Sequence, residues 1–133
     1  MSTAKRRDTS AELALRHELH RRGMRYRVAF AVPGQRRRTI DVAFTRARVA
    51  VFVDGCFWHG CPDHGTRPRA NSEWWTTKLA ANHARDKDTD RLLDEHGWTV
   101  VRVWEHEAPD AAADRVEAAL RHALARLRRA IEV

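Results

Sequence analysis

Cysteine is scarce in this chain, and long apolar runs are missing altogether. Two cysteines occur among 133 residues. Only four residues separate Cys56 from Cys61, which points to metal or redox chemistry before a structural disulfide. No apolar stretch approaches the ~20 residues of a membrane span. Met1 to Arg7 is polar and basic with no apolar core, so it is not a secretory signal. Internal repeats, linkers and low-complexity segments are likewise missing. These absences lead us to expect one cytoplasmic domain over residues 1–133, long enough to bury a core without staples, and no membrane partner. The hydrophobic fraction of 43%, with five Trp, marks a globular chain.

What is abundant is arginine. Lys plus Arg is 25 against 18 acids, a net charge of +7, and nearly all the basic residues are Arg, the residue suited to bidentate phosphate contacts. A nucleic-acid partner is the expectation from charge. An arginine-rich composition would account for the Arg/Lys ratio without one, though less well for the net charge.

Read in order, the chain alternates helix and strand signals. Residues 1–10 form a short basic arm. Thr9 to Glu12 has capping-box spacing, and Ala11, Ala14, Leu15 and Leu19 continue at helical intervals until Gly23. Tyr26 to Phe30 alternates like a strand, Pro33-Gly34 is a turn, and Gln35 to Arg38 reads as a basic loop. Thr39–Phe44 and Arg48–Val53 read as a hairpin. Asn71 or Ser72 caps a helix reaching about His96, with Trp75, Leu79, Asn82, Asp86 and Leu93 turned inward. Trp98 to Trp104 is a buried strand. Residues 109–131 form a last helix, with Val116, Leu120, Ala123, Leu124, Leu127 and Ile131 on one face. The order α-β-β-β-α-β-α gives an α/β fold, a mixed sheet of about four strands flanked by helices. The helix between the last two strands serves as the crossover of a parallel pair.

Four constellations carry chemistry. Asp41 interrupts an apolar strand, where Asp is disfavoured, and the next strand ends twelve residues later at Val53-Asp54. Acids at the ends of adjacent strands suit Mg²⁺, and Glu12 either completes that site or only caps its helix. Cys56, Cys61 and His64 fall within nine residues, as zinc loops do, with His59 or the more distant His106 as fourth ligand. Phe57-Trp58 lies between these ligands as a candidate base-intercalating wedge, which Trp74 and Trp75 can join; the alternative is that the pair folds back into the core. His59, if not on zinc, is placed as a general base, and Asp86 either orients it or forms a salt bridge to an arginine.

The run Gly55-Cys56-Phe57-Trp58-His59, followed by Trp74-Trp75, Asn82, Arg85-Asp86, Gly97-Trp98 and Val103-Trp104-Glu105, resembles the very short patch repair (Vsr) DNA mismatch endonucleases. The likeness runs from about Glu12 to His106. It implies a core like that of type II restriction endonucleases. It also implies a Mg²⁺-dependent, strand-nicking enzyme acting on duplex DNA 5′ to the T of a T:G mispair, with mismatch-repair proteins as further partners. We expect a monomer. By that resemblance Asp41 is the magnesium carboxylate, Val53 lends a backbone carbonyl, and His59 is the general base supported by Glu12 and Asp86. Phe57, Trp58 and an aromatic from Trp74-Trp75 form the wedge, and Cys56, Cys61 and His106 hold zinc. The chain departs from the pattern in four places. Ile40-Asp41 stands for Pro-Asp. Val53-Asp54 stands for Thr-His, which makes Asp54 a possible extra metal ligand. Asp63 occupies the usual third zinc position, but imidazole suits zinc better beside two thiolates, so His64 is preferred. The arm before Glu12 has eleven residues, shorter than family members use on DNA. Two further readings stay open: a nuclease of a restriction or defence system with no mispair requirement, and a zinc-stabilised DNA-binding module without catalysis.

Overall fold

The computed structural model describes residues 9–55 and 72–132, apart from the side chains of Ser72 and Glu132. The elements follow the expected order: α1 (Ser10–Arg21), β1 (Arg27–Val32), β2 (Gln35–Phe44), β3 (Val49–Asp54), α2 (Ser72–Glu95), β4 (Thr99–Trp104) and α3 (Pro109–Glu132). The sheet runs β1-β2-β3-β4, with β1–β2 and β2–β3 antiparallel and β3–β4 parallel. Helix α2 is therefore the crossover between parallel neighbours.

Side-chain alternation in β3 divides the core in two. Val49 and Val51 face α1 and α3, where Leu15, Leu19, Val103, Ala113 and Val116 close a dry layer. Ala50 and Phe52 face α2, against Leu93, Trp98, Ile40 and Val32. Burial on both faces is what the unbroken apolar run Val49–Val53 requires. The β3–β4 register pairs Asp54 with Trp104. It brings the residues that follow each strand, Gly55 and Glu105-His106, to the same end of the sheet.

Three local expectations are revised. The Gln35–Arg38 stretch is the start of β2 rather than a loop: Val32 pairs with Gln35 and Ala31 with Thr39, so the backbone ladder holds a segment whose side chains look like a loop. Strand β1 lies slightly later than Tyr26–Phe30. The apolar face of α3 continues past the core. Leu124, Leu127 and Ile131 are 41%, 40% and 85% exposed. A helix of 24 residues spans about 36 Å, whereas a strand of six spans about 20 Å, so the last turns overhang the sheet. Among the described residues no helix is long and apolar enough to cross a membrane.

Candidate active site

Asp41 sits where the pairing of β2 with β3 gives out. On one side, Ala29 in β1, opposite Asp41, takes a left-handed φ of 54°. On the other, the paired residues of β2 and β3 end at Val42–Val51. Just beyond, the Val53 N–H donates to Asp41 Oδ2 at 2.8 Å, so a side-chain carboxylate satisfies a β3 amide. Burial pushes the Asp41 carboxyl up to about 7, with the Val53 hydrogen bond opposing and the charges of Glu12 and Asp54 adding to the rise. Asp41, Glu12 and Asp54 thus lie close enough for each acid to be felt by the next.

Glu12 comes from the first turn of α1. Thr9 Oγ1 accepts its backbone N–H at 3.2 Å, which fixes the helix start, while its side chain is fully buried and accepts from Arg16 Nη1 at 2.9 Å. A cap needs only the amide of this residue. The buried carboxylate is a separate feature, directed inward toward Asp41's field.

Asp54 ends β3 on the α2 face and is 7% exposed. Arg102, from the middle of β4, donates through Nη1 to its two carboxylate oxygens at 3.0 and 3.1 Å. The same guanidinium reaches Asp90 of α2 at 2.7 Å, approaches Asp86 Oδ1 to 3.9 Å, and lies 4.4 Å from the centre of the Phe52 ring. Burial alone would lower the Arg102 pKa, but the Asp90 hydrogen bonds and the charges of Asp54 and Asp86 outweigh it and hold it above its usual value. Asp86 therefore has an arginine beside it. Sequence reading missed Arg102 and Asp90. The signal was present, since Arg102 is a charge inside Val100-Val101-Arg102-Val103, and Asp90 follows Asp86 by one helical turn.

Trp74 and Trp75 open α2 with their rings 4.5 Å apart and nearly perpendicular, and Trp74 is 55% exposed. His106 is exposed in the turn after β4, where the Glu105 N–H donates to the Asp54 carbonyl at 2.9 Å. This contact and the strand register bring His106 to the end of the sheet at which β3 finishes. Cys56, Phe57, Trp58, His59, Cys61, Asp63 and His64 lie outside the described residues. Among the described residues no group of three His, Cys, Asp or Glu side chains is gathered around a common metal position. Arg36 and Arg37 are exposed on β2, while Arg38 is tied to Asp88 at 2.7 Å and Thr89 at 3.0 Å.

This constellation sits on a chain with clear relatives. The family model described as DNA mismatch endonuclease Vsr matches residues 1–64. The type II nicking enzyme V.NaeI of Lentzea aerocolonigenes is 43% identical over 125 residues, 92% of this chain and 75% of that protein. This chain belongs to the Vsr family. The type II nicking enzyme V.XorIIP of Xanthomonas oryzae pv. oryzae is 38% identical, covering 93% of this chain and 88% of its own length. The DNA mismatch endonuclease Vsr of Escherichia coli is 35% identical over 101 residues, 74% of this chain and 62% of that protein. The protein is accordingly a DNA endonuclease with the restriction-endonuclease-like fold of Vsr proteins, and DNA is its partner.

Proposed function

We propose that this Vsr-family endonuclease nicks duplex DNA 5′ to the T of a T:G mispair, with Mg²⁺ at Asp41. The observation that carries the catalytic part is the Asp41 carboxylate. It is half-buried, accepts a hydrogen bond from the Val53 amide, and feels the charges of Glu12 and Asp54. An oxygen-rich position that already disfavours its own negative charge fits a hard divalent cation. Mg²⁺ is commonly held by one or two carboxylates with water and phosphate completing its shell. Asp41 and the Val53 carbonyl would hold it. The chemistry it supplies when bound is polarisation of the phosphodiester and a more acidic water.

The chain's own groups do the rest. His59 takes the proton from the attacking water, and Asp86 keeps its imidazole oriented. Glu12 adds negative charge at the closed side of Asp41. Phe57 and Trp58, with the exposed Trp74 and its neighbour Trp75, stack against the bases beside the mispair; such a wedge unstacks a step for about a few kcal/mol. Cys56, Cys61, His64 and His106 hold a zinc ion that stiffens the wedge loop. One zinc per chain, lost in Cys61→Ser together with a lower unfolding midpoint, is the expected analysis.

A second reading drops the mispair requirement. The relatives V.NaeI and V.XorIIP, described as type II nicking enzymes, favour it. Cleavage mapping on mismatched, methylated and matched duplexes with Mg²⁺ separates the two. Nicking confined to the T:G strand supports the first, and equal nicking of matched DNA replaces it with the second.

A further inference from the structure

The Arg102 cluster lies beside Asp41 but makes a different use of its acids. The guanidinium extends from β4 across the α2 face of the sheet. Nη1 holds both oxygens of Asp54, the last residue of β3. Nε and Nη2 hold Asp90 at 3.2 and 2.7 Å, and Nη1 lies 3.9 Å from Asp86. Its side chain is 22% exposed, and its flat face rests on Phe52. One residue thus joins the middle of β4 and the end of β3 to two successive turns of a helix. Without it, Asp54, Asp86 and Asp90 would be like charges converging in a partly dry space.

We infer that Arg102 is a positioning residue for strand cleavage, and that Asp54 acts through it as an anchor rather than as a metal ligand. The rigid planar fork explains why arginine is there. It fixes the direction of several acids at once, which a lysine point charge cannot do. Asp86 is held near the end of β3 by the guanidinium that also holds Asp54. Loss of the fork frees α2 to swing its acids apart. The cleavage step is then slowed through misplaced groups, while the DNA-binding surface, carried by Trp74 and the exposed arginines, is left in place. The inference rests on the proposed roles of Asp86 and His59.

The experiment is a double-mutant cycle on Asp54→Asn and Arg102→Met, with kcat, KM, unfolding midpoint and the metal-free Kd for duplex DNA measured for each variant. Groups one layer behind a reacting centre affect it by about 10–100-fold. Arg102→Met should lower kcat within that range while KM and Kd move by less than about 3-fold. Asp54→Asn should lower kcat in the parent and have almost no further effect in the Arg102→Met background. Arg102→Lys should recover part of the loss. Independent, multiplicative losses from the two changes would overturn the inference, since an acid on the metal does not need Arg102. An unchanged kcat in Arg102→Met, or a loss carried by Kd, would also overturn it. Should Arg102→Met fail to fold, the cycle with Arg102→Lys must still show the coupling. The cycle is run on whichever duplex the parent nicks, so loss of mispair selectivity sinks the proposed substrate and leaves this test readable.

Discussion

Two sets of acids meet at the end of β3, and the protein treats them in opposite ways. On the α2 face, Asp54, Asp86 and Asp90 surround one guanidinium, whose charge offsets part of theirs. At the break between β2 and β3, Asp41 has an amide for a partner and acids for neighbours, and its carboxyl is pushed up to about 7. Similar residues thus take part in a brace in one case and, as proposed above, in a cation site in the other. Desolvation is what chiefly raises the Asp41 carboxyl, and Arg102, which bonds Asp54 directly, reaches Asp41 only through its charge. Neither the number of acids nor their burial alone decides the difference, because Asp54 at 7% exposure is as secluded as many core residues.

The largest effect should come from breaking the strained side of the comparison. Asp41→Ala should lower the nicking rate by at least about 10³-fold, measured in single turnover, with duplex Kd nearly unchanged. Retained cleavage would move the catalytic carboxylate elsewhere. The same residue should be a burden to folding. The Asp41 carboxyl lies above its ordinary 3.8, so the folded chain holds that proton between 3.8 and about 7. Metal-free stability should therefore fall as pH rises from 3.8 to about 7 and level off above it. Asp41→Asn carries no charge and should be more stable than the parent at pH 8 by about 2–4 kcal/mol in urea unfolding, with no advantage near pH 4. Equal stability at both pH values would remove the contrast between the two acid sets.

Smaller effects are expected on the balanced side. Asp90→Asn removes one arm of the Arg102 fork at a half-open position and should destabilise by about 1 kcal/mol, with a modest loss of kcat. The smallest should be Arg91→Ala on the outer face of α2. Its pairs with Asp88 and Glu95 are solvent-exposed, so its effect on unfolding should stay within about 0.5 kcal/mol. A large effect at Arg91 would show that surface ion pairs, and not the Arg102 frame, fasten the helix.

Much of this arrangement could be read from the chain itself. Element order followed from periodicity, because Val49–Val53 can only be a doubly buried strand and α2 carries an inward line ending at Leu93. Asp41 was legible because a lone Asp among Ile40, Val42 and Ala43 contradicts strand chemistry. The Gln35–Arg38 segment was not, because it is joined to β1 through the backbone while Arg36 and Arg37 face water and Arg38 turns to Asp88 and Thr89 of the distant α2. The overhang of Leu124 to Ile131 depends on relative lengths of helix and sheet, which a helical face cannot disclose. Arg102 was visible as an anomaly, but its partners stand 12 and 48 residues away, and only the crossover packing brings them together. Likewise, the inward placement of Asp86 suggested a need for a partner without saying which.

The central proposal is that Asp41 is a half-buried, charge-disfavouring carboxylate that takes a divalent cation. Its most direct test is a titration of the Asp41 side-chain carboxyl by carbon-13 NMR, with and without Mg²⁺. We expect a midpoint near 7 in the metal-free protein, falling by more than about one unit when Mg²⁺ is added. A midpoint near 3.8 that does not respond to Mg²⁺ would contradict it.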